Sequence, residues 1–153
     1  MDDYQIKHLE LIQGVITRMA GNSFQTKAWA VALVAALLGF GVDRESAGIA
    51  GVAVFPALVF LWLDAYYLRQ ERLFRKLYDA VRQGKLTVAT DAFTMNTKDY
   101  HKSVDSWPRT MLASTIWPLH ACTVAAAIGV AIYLLLADSN GGLIDDNLTI
   151  ALL

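Results

Sequence analysis

Basic charge is missing from the last 44 residues: all thirteen Lys and Arg lie between Lys7 and Arg109. Cysteine is nearly absent too. The lone Cys122 lies in an apolar run, which excludes an intrachain disulfide framework or a Cys-based zinc site and leaves it as a small core residue. Charged residues are scarce at 18% against 56% hydrophobic, a balance too apolar for an ordinary soluble domain. The first twenty-odd residues lack the basic-then-apolar order of a cleavable signal peptide, so targeting is expected from the first membrane span. No nucleophile elbow, Gly-rich phosphate loop or His-Glu-x-x-His occurs, and His8, His101 and His120 lie far apart in sequence. Neither an enzyme nor a metal or cofactor site is expected.

What is present predicts an all-α integral membrane protein with an amphipathic N-terminal helix, three transmembrane helices and a long helix continuing from the second span. In residues 1–22, Ile6, Leu9, Ile12, Ile16 and Met19 form one stripe, with Lys7, Glu10, Gln13 and Arg18 elsewhere. Two destinations for that stripe are open: the membrane surface, or other helices of the same assembly. Asn22 and Ser23 offer capping chemistry before the uncharged run Ala28 to Val42, which alone reaches only about 22 Å. Starting the span at 23, with Lys27 snorkelling and Phe24 and Trp29 at the interface, gives about 30 Å.

Asp43, Arg44 and Glu45 form a short charged turn before the second span, residues 46–63, so residues 23–64 read as an antiparallel hairpin. Gly48 and Gly51 suit close helix contact, and Pro56 predicts a kink. Beyond Asp64, Leu68, Phe74, Leu77 and Val81 keep helical spacing up to Gly84. Residues 85–109 then read as a loop with one short helix ending near Trp107-Pro108. The third span is expected over 110–137, kinked at Pro118 and ended by Asp138-Ser-Asn-Gly-Gly. The tail, 138–153, is left open between a short helix and disorder.

Three basic residues lie in the N-terminal segment, counting Lys27 as it snorkels to the cytoplasmic side, one lies in the turn, nine fall in 65–109 and none follows. By the positive-inside rule this places the N-terminus and the 65–109 segment in the cytoplasm and the C-terminus outside, in a bacterial inner membrane.

The cytoplasmic segment carries the most suggestive chemistry. Arg69, Arg72, Arg75, Lys76, Tyr78, Arg82, Lys85, Lys98 and Lys102 mix cations with an aromatic ring, and Tyr66, Tyr67, Phe74, Tyr100, His101, Trp107 and Arg109 add to both classes. Cations neutralise phosphates and aromatic faces stack bases, so the candidate ligand is a single-stranded nucleic acid or a nucleotide. Topology setting, anionic-lipid binding and an interfacial aromatic belt account for the same residue types. Asp64, His120 and Thr123 are candidate pore or gate residues, because polar groups in spans mark ion pathways. Asp64 equally fits pairing with Arg69 or Lys27, and His120 fits a bond to a carbonyl freed by Pro118.

Two strings, Lys7-His-Leu-Glu-Leu-Ile-Gln-Gly-Val-Ile-Thr-Arg-Met-Ala-Gly-Asn-Ser-Phe and Leu63-Asp-Ala-Tyr-Tyr-Leu-Arg-Gln-Glu-Arg-Leu-Phe-Arg-Lys-Leu-Tyr-Asp, resemble the small membrane effectors of Hailong-type bacterial anti-phage defence systems. The resemblance covers roughly the first 85 residues well and the rest weakly. It implies a homo-oligomeric ion channel held closed by a DNA oligomer from a linked nucleotidyltransferase, whose loss depolarises the infected cell. Implied partners are further copies of the chain, lipid, a single-stranded DNA oligomer or nucleotide messenger, and that enzyme. The competing readings are a non-conducting adaptor that recruits a soluble enzyme, and a holin, which leaves the basic segment unexplained.

Overall fold

A computed structural model describes residues 3–86 and 93–151, with side chains through residue 139. Among the described residues five α-helices form in chain order: α1 (Asp3–Asp43), α2 (Ala47–Val52), α3 (Val54–Arg82), α4 (Trp107–Met111) and α5 (Trp117–Ala151), with a 3₁₀ turn at Lys98–Tyr100. No strand occurs among the described residues. Three stretches of these residues are long and apolar enough to cross a membrane: Asp3–Asp43, Ala47–Arg82 and Trp117–Ser139.

No helix break falls between residues 22 and 23, where capping was expected: α1 runs unbroken from Asp3 to Asp43. Ser23 does not cap a helix; its hydroxyl is spent on Asp64 across to α3. At about 1.5 Å per residue, α1 is roughly 60 Å long, twice a bilayer's hydrocarbon thickness.

The chain forms two compact units, residues 1–27 with 62–116 and residues 28–61 with 117–153. In the first, Leu9, Ile12 and Ile16 of α1 bury against Leu77 and Val81 of α3, with Phe74, Tyr78, Leu86 and Tyr100 around them. This answers the open question about the amphipathic stripe: its centre is used within the chain. Gln5 adds a bond from Nε2 to the Val81 carbonyl at 2.6 Å, satisfying one of the acceptors that a helix end leaves open. The α3 terminus closes with a Schellman pattern, Lys85 N–H to Ala80 O and Gly84 N–H to Val81 O, both 3.0 Å. Gly84, at φ +66°, supplies the left-handed residue that pattern requires. After residues 87–92, where part of the expected 85–109 loop lies outside the described residues, Phe93 and Thr94 return to α1. Phe93 packs at a tilt against Tyr4, ring centroids 4.5 Å apart, and His8 Nε2 bonds the Thr94 carbonyl at 2.8 Å.

In the second unit, α2 packs against α5, and Val34, Ala53, Ala57 and Ala127 form the buried centre. Alanines at such positions let helix backbones approach closely. The turn between α1 and α2 uses Ser46 twice: its N–H reaches Gly41 O at 2.8 Å, ending α1, and its Oγ accepts from Ile49 N–H, starting α2. Glu45 takes the left-handed position there, φ +50°. A side chain at Gly41 would place its Cβ 3.0 Å from Ala50, so the hairpin closes only because that position is glycine.

Pro56 does more than kink the second span. Its ring and missing N–H act on the preceding turn, and the helix is interrupted at Ala53, between α2 and α3. Pro118 acts likewise: the expected span from 110 is divided, α5 begins only at Trp117, and tight turns fill 112–116. Trp107-Pro108 begins a short helix instead of ending one, in keeping with proline's tolerance for first-turn positions. At the far end α5 continues past Asp138 to Ala151, where the Gly-Gly pair was expected to stop it.

Candidate functional site

The site is built on one face of α3. Trp62, Tyr66, Arg69, Arg72 and Arg75 or Lys76 recur every three or four residues, so a single stripe changes from aromatic to basic along the helix. The segment 103–109 lies along this stripe. At the aromatic end, Trp107 packs on Trp62 with ring centroids 4.7 Å apart and reaches Tyr66 at 6.5 Å. At the basic end, three arginines converge on Asp105. Arg69 Nε donates to its backbone carbonyl at 3.3 Å, Arg72 Nη1 to Oδ2 at 3.0 Å, and Arg109 Nε lies 3.6 Å from Oδ1.

A cavity of about 370 Å³ opens beside this junction, lined by Arg72, Arg75, Lys76, Asp79, Ser103, Val104 and Asp105. Much of its positive charge is met internally. Arg75 bonds Glu71 through Nη2 at 2.7 Å, and Arg82 Nη2 lies 3.6 Å from Asp79. These are local i,i+4 and i,i+3 pairs, whereas the Arg72–Asp105 pair joins a helix to a loop 33 residues away. The latter pair is open to solvent, with 33% of the Arg72 and 44% of the Asp105 side chain exposed. Exposed pairs of this kind contribute roughly 0.2–1 kcal/mol. Hydrogen bonds to charged groups are worth about 1.5–3 kcal/mol, and arginine meets phosphate in a two-pronged geometry.

Of the residues expected to hold a ligand, Arg72, Arg75 and Lys76 share this cavity and Arg69 flanks it through Asp105. Tyr78 faces α1 and lines a different cavity with Ile6, Leu9, Glu10 and Gln13. A smaller one, lined by Gln13, Ile16, Arg75, Tyr78 and Asp79, has Arg75 and Asp79 in common with the first. Lys85, Lys98 and Lys102 are exposed and do not line the basic cavity. Asp105 and Ser103 escaped sequence reading. The i,i+4 spacing of Asp105 and Arg109 was a local signal, but nothing in the sequence joins Asp105 to α3.

Asp64 is wholly buried. Lys27 Nζ lies 2.7 Å from both of its carboxylate oxygens, Ser23 Oγ donates to Oδ1, and Lys27 also bonds Ser23 Oγ at 2.9 Å. Of the two pairing partners open to Asp64, the structure takes Lys27, while Arg69 is engaged by Asp105. His120 and Thr123 belong to the other unit, on α5, where His120 is buried and Thr123 Oγ1 donates to the His120 carbonyl at 2.9 Å. Among the described residues no cluster of His, Cys, Asp or Glu is arranged to hold a metal ion. No family model, curated protein or solved structure matches the chain.

Proposed function

We propose that this chain is a multi-pass protein of a bacterial inner membrane, with a cytoplasmic N-terminus, that assembles into an oligomeric ion channel gated by a phosphate-bearing ligand. The observation that carries the reading is the continuity of α3: one helix passes without interruption from an apolar, membrane-compatible stretch to the arginine-lined cavity.

Three spans are too few to enclose a pore, so conduction requires a symmetric ring of copies. Repeating the basic stripe around that ring multiplies its positive potential and favours capture of a polyanion. The resemblance to the Hailong-type effectors supports a role in anti-phage defence, with a nucleotidyltransferase product, a DNA oligomer, holding the channel closed. Such a ligand restrains the channel only if it binds the closed ring more tightly than the open one.

The test is membrane potential, read with a voltage-sensitive dye in cells expressing the chain alone and with a nucleotidyltransferase of the implied kind. Depolarisation relieved by the enzyme is expected. Correct insertion without depolarisation in either case favours the non-conducting adaptor, a reading to which the internal pairing of Arg72, Arg75 and Arg82 lends weight by reducing the free positive charge.

A further inference from the structure

We propose that Asp105 is a displaceable stand-in for a phosphoryl group: its carboxylate occupies the seat formed by Arg72 and Arg109, and an incoming phosphate exchanges with it and loosens the hold of α3 on the 103–106 segment. The inference rests on the ligand reading above and deepens it, by assigning the group recognised and the residue that competes for it.

Four observations lead to this exchange. A single carboxylate receives one guanidinium from α3 and one from α4, through its two oxygens, which is the arrangement a phosphate also accepts from a pair of arginines. The contact is solvent-exposed, so a competing anion reaches it without unfolding anything. The cavity beside it, about 370 Å³, supplies space for the remainder of a phosphodiester, with Lys76 and Ser103 on its wall. Lastly, the segment bearing Asp105 meets α3 through Arg72 on the carboxylate, Arg69 on the Asp105 carbonyl, and Trp107 on Trp62 and Tyr66. Exchange at the carboxylate removes the ionic contact and leaves the single carbonyl bond and an aromatic hinge.

The remaining carboxylates near the cavity behave differently. Glu71 and Asp79 pair with arginines of their own helix, and exchanging them for a ligand moves no segment of chain. Asp105 alone couples anion binding at α3 to the position of a loop. Such coupling converts occupancy into a conformational signal, because the seat holds either the carboxylate or the phosphate.

The experiment measures binding of a fluorescent oligodeoxythymidylate to the full chain in nanodiscs of zwitterionic lipid, with a parallel arm in anionic lipid. Asp105→Asn is expected to bind the probe about tenfold more tightly, a change of one decade in Kd. Asp105→Ser, which cannot mimic the carboxylate's shape, is expected to show the same direction. Adding Arg72→Gln to Asp105→Asn should remove the gain. Glu10→Gln and Asp43→Asn, which delete the same charge at residues that do not line this cavity, should change binding by less than about threefold. Equal gains from all three charge deletions would mean that only net charge matters and would overturn the exchange. Wild-type binding that Asp105→Asn leaves unchanged or weakens overturns it too, with the ligand reading intact. An absence of binding by every variant overturns both. Loss of the gain only in anionic nanodiscs assigns the same phosphoryl seat to lipid headgroups.

Discussion

Two ion pairs in the same compact unit illustrate what environment does to identical chemistry. Lys27–Asp64 joins α1 to α3, with the carboxylate fully buried and a serine closing the triangle. Arg72–Asp105 joins α3 to a loop, with both groups partly in water. The pair fixes the register of two long helices: Asp64, fully buried, cannot lose Lys27 without being stranded in a low-dielectric surrounding. The exposed pair is cheap to open, since water and ions replace each partner. The first therefore suits a permanent joint and the second a contact made and broken during function.

The largest effect in breaking this contrast is expected from Lys27→Met, which strands Asp64 and should cost about 3–5 kcal/mol, read as a lowered melting temperature of the detergent-solubilised protein. Combining it with Asp64→Leu should recover most of that loss, because an apolar pair of similar volume no longer carries the desolvation cost. A double variant as unstable as the single one would show that the triangle's value lies beyond charge balance. Next in size, Ile12→Ala should cost about 2–5 kcal/mol through a cavity between α1 and α3, showing that apolar packing and the buried pair act on one joint. Gly41→Ala should cost about 1–3 kcal/mol, since its Cβ meets Ala50 at 3.0 Å and the hairpin must shift. Asp105→Asn should change stability by no more than about 1 kcal/mol, measured in the same melt, although its effect on ligand binding is pronounced. Raising salt toward 1 M should erase that small difference and leave the Lys27→Met effect in place, because screening reaches exposed charges and not buried ones.

How far the sequence could be read depended on the range of each signal. Uncharged runs located the apolar stretches now seen in α1, α2–α3 and α5, and helical spacing from Leu68 to Val81 carried α3 past Asp64 to its end at Arg82. The turn at 43–46 was legible because its charges interrupt two apolar runs. Ser23 misled for a physical reason: a serine that caps a helix and one that bonds a distant carboxylate look identical in sequence, and Asp64 across the helix crossing decides between them. Pro118 likewise shows only that some interruption falls nearby. Whether it kinks a helix or separates α4 from α5 depends on what the flanking turn can bond to instead, and here Ala113 and Ile116 form short-range bonds that close the gap.

The basic segment was recognisable from its residue types, yet its grouping was not. Arg72, Arg75 and Lys76 share a wall because helical geometry places them there, and that much follows from local spacing. Tyr78 packs with the α1 stripe, which claims its face of α3, and shares only a smaller cavity with Arg75. Lys98 and Lys102 depend on the path of the return segment, which no periodicity encodes.

By itself, the sequence determined the helical class, the three apolar stretches and the gathering of positive charge between Lys7 and Arg109, because hydrophobic period and composition act over one or two turns of chain. Only the tertiary structure decided that Asp64 belongs to Lys27, that the amphipathic stripe folds onto α3, and that Asp105 sits between Arg72 and Arg109. Apart from the local Asp105–Arg109 pair, those choices join residues from 33 to about 70 positions apart, and a pairing at that range is selected by how helices cross and which charges burial forbids to remain alone.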